Sequence, residues 1–266
     1  MTTNNIQIID AKSYHYKSWL TYNYISLKDL PLNDKWKEKI FNEIFKMKKI
    51  KILNNFLNNE KKLYEIFPYP ELIYNAFNYT NYDNIKVIII GQDPYANFEL
   101  YNDTIIPNAM GLSFSVPYNN SIPSSLKNIY KNLKKFNHLI DNDIPQHGNL
   151  YSWTIQGCLM INSSLTVTQG KPNSHSIYWN KITDKIIKHL SDEKNNLIFV
   201  LWGLPALSKK KLINEIKHKI LISSHPSGLS CNNKLKEYPS FMSFDVFGEI
   251  NKYLKEINNQ PILWQL

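Results

Sequence analysis

Two short segments, far apart in the chain, place an ionisable side chain just beyond an apolar run. The first is Ile85-Lys86-Val87-Ile88-Ile89-Ile90-Gly91-Gln92-Asp93-Pro94-Tyr95. The second is Lys219-Ile220-Leu221-Ile222-Ser223-Ser224-His225-Pro226-Ser227-Gly228-Leu229-Ser230. Each reads as a buried β-branched strand stopped by Gly or Pro, with polar groups past its end. In an open parallel α/β sheet, ligands bind at that position. One turn supplies a carboxylate and the other an imidazole, groups suited to steering water and protons in a hydrolytic site. Taken alone, Asp93 before Pro94 reads first as a turn former, and His225 before Pro226 as a structural histidine.

Four strand candidates stand out: Lys86–Ile90, Cys158–Asn162, Leu197–Trp202 and Lys219–Ile222. Helical patterns separate them at Ser125–Phe136, Leu150–Gln156, Tyr178–Leu190 and Ala206–Lys217, and Phe241–Ile257 reads as a closing helix. Between Asn33 and Ile50, apolar Trp36, Ile40, Phe41, Ile44 and Phe45 recur at helical spacing behind an Asn33 or Asp34 cap. This alternation predicts an α/β fold in a single domain, with a central four-stranded parallel twisted sheet and helices on both faces. Residues 1–29 are polar, Tyr-rich and weakly periodic, and are expected to form an N-terminal extension or arm before a domain spanning 30–266.

With 266 residues, a formal net charge of +9 and 13% aromatic residues, the chain suits a partner made of phosphates and bases. A general Lys, Asn and Ile bias explains part of that charge, and Asn-rich stretches such as Asn54-Asn55-Phe56-Leu57-Asn58-Asn59 look compositional. No Arg occurs, so phosphate contacts must come from Lys, hydroxyls and backbone amides. Cys158 and Cys231 are the only cysteines and form no metal-ligand spacing, so neither a metal nor another cofactor is expected. No secretory or transit pattern and no run of membrane-spanning length stands out. An intracellular monomer without a membrane partner is expected, with nucleus and cytoplasm not distinguished. No dinucleotide fingerprint or phosphate loop is present, which argues against a small-molecule α/β enzyme.

Gly91-Gln92-Asp93-Pro94-Tyr95 resembles the water-activating motif of the family 1 uracil-DNA glycosylases, and His225-Pro226-Ser227-Gly228-Leu229 resembles their His-Pro-Ser-Pro-Leu loop. Further segments resemble that family in order: Gly111-Leu112-Ser113-Phe114, Ser125-Leu126, His147-Gly148-Asn149-Leu150, Met160-Ile161-Asn162-Ser163, Asn173-Ser174-His175 and Leu201-Trp202-Gly203. The similarity runs from Leu30 to Trp264. It implies metal-independent hydrolytic excision of uracil from DNA after base flipping, the opening step of base excision repair. In this reading Asp93 orients the attacking water and supports the cationic sugar, while neutral His225 donates to the uracil oxygen O2. Asn162 reads N3–H and O4, Phe114 stacks on the base, Tyr95 blocks a C5 methyl, and Gln92 shapes the slot. From local sequence alone Asn162 is equally a capping residue, and either aromatic could be core. Leu229 resembles the wedge that fills the vacated stack, and Ser125, Pro123 and Ser227 resemble phosphate-gripping loops.

Five departures bear on this expectation. Ala96 stands where the family pattern has His, and Met110 replaces another. Between Tyr95 and Gly111 the chain carries a 15-residue stretch, 96–110, longer than the resemblance implies. Gly228 replaces a Pro in the wedge loop, and Leu204 stands where a hydroxyl is usual. The alternative is a glycosylase-fold DNA-binding subunit of a replication or repair assembly with weak or no excision. The partners implied are single- or double-stranded uracil-containing DNA and a uracil-glycosylase inhibitor or replication proteins.

Overall fold

The computed structural model describes residues 9–266, so the first eight residues of the expected arm lie outside the described residues. Its strands are β1 Ile66–Phe67, β2 Val87–Gly91, β3 Phe98–Tyr101, β4 Thr104–Pro107, β5 Cys158–Asn162, β6 Val167–Thr168, β7 Ile198–Trp202 and β8 Lys219–Ser223. The four apolar runs form one sheet in the order β5-β2-β7-β8, and every pairing in it is parallel. Every residue of β2, β5 and β7 is buried, as befits a parallel sheet covered on both faces. The chain runs from β2 to β5 on one side and then to β7 on the other. Strand order therefore reverses at β2, where an open sheet forms its ligand crevice.

Ser124–Lys135, Tyr151–Ile155, Ser176–Glu193 and Val246–Glu256 are helices close to the expected patterns. Val246–Glu256 starts late because Asp245 caps it, accepting from the Gly248 N–H, after a separate turn at Phe241–Ser243. The expected Ala206–Lys217 helix is replaced by Gly203–Leu207 and a short turn at Lys210–Leu212. There the Asn214 N–H leaves the helical ladder for the Ser191 hydroxyl, and the Asn214 side chain accepts from the Ile216 N–H. The pattern beginning at Asn33 is also interrupted. Asn33 caps it through the Lys35 and Trp36 amides, but the helix widens to a π turn at Lys37–Phe41. Trp36, Ile40, Phe41 and Ile44 are all buried. At Met47 the backbone is extended, and a new helix spans Lys48–Glu60.

Residues 19–27 lie along that helix and the turn that follows it. Asn58 accepts from the Ile25 N–H at 2.9 Å and donates to the Ile25 carbonyl at 2.7 Å, and Asn54 accepts from the Leu27 N–H at 3.0 Å. Buried Lys61 donates to the carbonyls of Trp19, Tyr22 and Asn23. The Asn-rich stretch thus includes specific backbone receptors. The long 96–110 stretch folds as a hairpin of β3 and β4, turning at Asn102 and Asp103, both with positive φ. That conformation matches the right-handed twist of paired strands.

Replacing Asn58 with Ala leaves the Ile25 N–H and carbonyl buried and unpaired. Urea denaturation is expected to show a loss of about 3 kcal/mol. An unchanged midpoint would show that the Asn58–Ile25 contact contributes little to stability.

Candidate active site

A cavity of about 470 Å³ opens at the C-terminal ends of β2, β5 and β8. Its walls include Gln92, Asp93, Tyr95, Phe114, Ser125, Asn162 and His225, brought together from five segments of the chain. Pro123, Ser227 and Leu229 do not line it. Pro123 precedes the helix that carries Ser125. Leu229 is 92% exposed, and Ser227 acts on His225 from outside the walls.

Sheet register places Asn162 at the back of the cavity. The last residue of β5, it pairs with Gly91, the last of β2. Its side chain lies over the Gly91 backbone: a Cβ at position 91 would sit 2.2 Å from Asn162 Oδ1 and 2.9 Å from Ser113 Cβ. Gly91 therefore supplies space. Asn162 is buried, yet its amide bonds to no other side chain or backbone group among the described residues. The residue lines the cavity, so the amide is open to a ligand entering there.

His225 is held in one tautomer. The Ser227 N–H donates to its Nδ1 at 3.0 Å, so the neutral ring carries its proton on Nε2. Burial pushes its pKa down to about 4, which keeps the ring neutral near pH 7. Gly203, at φ +81, packs so closely that a Cβ there would lie 3.0 Å from His225 Cβ. Ser230 Oγ donates to the His225 carbonyl, and Asn128 Nδ2 donates to that of Pro226. The loop is thereby tied on both sides of the ring.

Asp93 is half-buried. Its Oδ2 accepts from the Asn173 N–H at 2.6 Å, and burial raises its carboxyl above the ordinary value while this bond opposes the rise. Asn173 sits at φ +69, and buried polar groups fix its loop. Trp179 Nε1 donates to Thr166 Oγ1, whose hydroxyl faces His175 Nδ1 at 2.8 Å. His175 Nε2 meets Thr168 Oγ1 at 2.8 Å, and that hydroxyl donates to Glu60. Only one proton arrangement satisfies this chain: the neutral His175 ring with hydrogen on Nε2. Burial holds its pKa down at about 4. The sequence similarity at Asn173-Ser174-His175 carried no role for these residues, and the Thr166-x-Thr168 spacing was its available signal.

Tyr95 and Phe114 form the remaining wall. The Tyr95 hydroxyl donates to the Phe114 carbonyl at 3.1 Å, and Phe114 adopts φ +64. Such a conformation in a bulky residue costs on the order of 1–3 kcal/mol and is concentrated at functional sites. The Phe114 ring meets Trp202 edge-on at 5.3 Å and lies 5.7 Å from His225. Ala96 lines the cavity with a bare methyl, while Met110 is buried and its sulfur accepts from Ser115 Oγ.

The model described as the Uracil DNA glycosylase superfamily matches residues 77–255. The chain belongs to this family. A probable uracil-DNA glycosylase from Acanthamoeba polyphaga mimivirus is 39% identical over 274 residues, covering 97% of this chain and 72% of the relative. A uracil-DNA glycosylase from Campylobacter lari is 40% identical over 245 residues, covering 91% of this chain and 98% of the relative. The crystal structure of the mimivirus uracil-DNA glycosylase superposes with a TM-score of 0.90 at 40% identity, covering 97% of each chain. A mimivirus UNG variant in complex with UGI gives 0.91 at 40% identity, covering 97% of this chain and 99% of that chain. Membership bears out the resemblance drawn from the motifs, and the four-stranded parallel sheet bears out the expected fold.

Gly91→Ala tests the close approach of β5 to β2. The added methyl must displace the Asn162 amide, so uracil release is expected to fall by about 100-fold or more. Urea unfolding of the same variant checks that the fold persists. Full activity would show that Asn162 need not occupy this position.

Proposed function

We infer that this chain excises uracil from DNA by hydrolysing the N-glycosidic bond of a flipped nucleotide, with Asp93, His225 and Asn162 dividing the work. One observation carries the reading. A single cavity joins an anchored carboxylate, a tautomer-fixed neutral imidazole and an amide without a partner among the described residues.

Breaking the bond builds positive charge on the sugar and negative charge on the departing base. Asp93, held through Oδ2 by the Asn173 N–H, keeps Oδ1 for orienting water and for countering sugar charge. His225 Nε2–H donates to the uracil oxygen that gathers charge, and its low pKa lets it donate without transferring its proton. Asn162 pairs with N3–H and O4, and cytosine presents the reversed pattern and is rejected. Phe114 offers its face to the base, and Tyr95 occupies the space of a C5 methyl. Leu229, beyond the cavity, fills the stack that the base has left. Pro123, Ser125 and Ser227 hold the flanking phosphates through hydroxyls and backbone. The same rim is the surface on which a UGI-type inhibitor would seat.

Single-turnover release of uracil from an oligonucleotide in EDTA tests the assignment. Asp93→Asn is expected to retain DNA binding while slowing release by about 100-fold or more. Tight binding by the unaltered chain with no release would favour the DNA-binding-subunit reading instead.

The pH profile gives a second test. Asp93 must be ionised, and its pKa is raised, so the rate falls on acidification at a pH above the ordinary carboxylate range. His225 is already neutral above about 4, so no step should appear near 6.5. A step near 6.5 that vanishes in His225→Gln would contradict the neutral donor.

A further inference from the structure

We propose that the inserted β3–β4 hairpin braces the loop that grips DNA phosphate, with Glu99 as its positioning residue. The proposal rests on the reading of Pro123 and Ser125 as phosphate contacts. Pro123 ends the loop 117–123, which leads directly into the helix Ser124–Lys135 that carries Ser125 in its first turn.

Two elements hold this loop from opposite flanks. On one, the Tyr118 N–H donates to the Ile9 carbonyl at 2.9 Å, and the Ala11 N–H donates to the Tyr118 carbonyl at 3.0 Å. On the other, the Ser121 N–H donates to Glu99 Oε1 at 2.9 Å. Beside it the buried Asn120 Nδ2 donates to buried Asn108 Oδ1 at 2.7 Å, one residue beyond β4. The hairpin is itself rooted near the reaction centre. The Gly170 N–H donates to the Ala96 carbonyl at 2.7 Å, and Phe98 packs against Phe67.

The absence of Arg gives this brace its value. Hydroxyls and backbone amides grip phosphate by placement, since they bring no charge of their own. A loop ordered before DNA arrives avoids that ordering cost on binding.

Steady-state excision from a uracil-containing duplex tests the brace. Glu99→Ala is expected to raise KM about three- to ten-fold with kcat within about two-fold of the unaltered chain. Glu99→Gln, whose amide oxygen still accepts from Ser121, should restore KM, and the urea midpoints should agree. The control Ser125→Ala should raise KM as well. If Ser125→Ala raises KM and Glu99→Ala does not, the brace is wrong. Equal impairment in Glu99→Gln and Glu99→Ala would likewise overturn it, since charge would then be the active property. An unchanged KM in Ser125→Ala would remove the phosphate-grip reading and the brace with it.

Discussion

The close passage of the Asn162 amide over the Gly91 backbone is the constraint on which the pocket depends. It requires β5 and β2 to be parallel and in register to their last residues, with no side chain at position 91. A slip of one residue would turn Asn162 to the opposite face of the sheet. The same strand ends launch the Asp93 turn and the Ser163-Ser164 segment, whose amides donate to the Gly91 and Gln92 carbonyls. Sheet pairing therefore continues past β2 and β5 into the reactive loops. A close-packed buried sheet thus sets where the reactive loops begin.

Electrostatic control follows from burial as much as from charge. His225 and His175 are both pressed towards neutrality by their surroundings, yet they do different work. His225 keeps one nitrogen free for a ligand. His175 spends both nitrogens on threonine hydroxyls and stiffens the loop that offers the Asn173 amide to Asp93. The carboxylate is thus oriented by a backbone group whose own position is fixed by a fully satisfied buried network.

Much of this was legible in the chain itself. The four central strands announced themselves as short β-branched runs, because strands buried on both faces need no polar alternation. Asp93, His225 and Asn162 could be located from their places beyond those runs together with the family motifs. Other features depend on partners distant in sequence. Asn54 and Asn58 looked like compositional noise because their partners, Leu27 and Ile25, lie about 30 residues away. The His225 tautomer is decided by a backbone amide, which has no residue signature. The expected helix at Ala206–Lys217 failed where the Asn214 backbone found a tertiary partner in Ser191. The hairpin within 96–110 had a local signal, Asn102-Asp103 between β-prone residues, that is plain once the turn is seen.

Trp202 adds an optical property to the pocket. Its ring touches Phe114 edge-on while its indole N–H is buried without an acceptor among the described residues. Trp19, Trp36, Trp153, Trp179 and Trp264 are packed deep in the interior. If the base stacks on Phe114 as proposed, its arrival would alter the polarity and contacts around the one indole packed against that ring. Base capture would then report itself through Trp202 emission, with no attached dye.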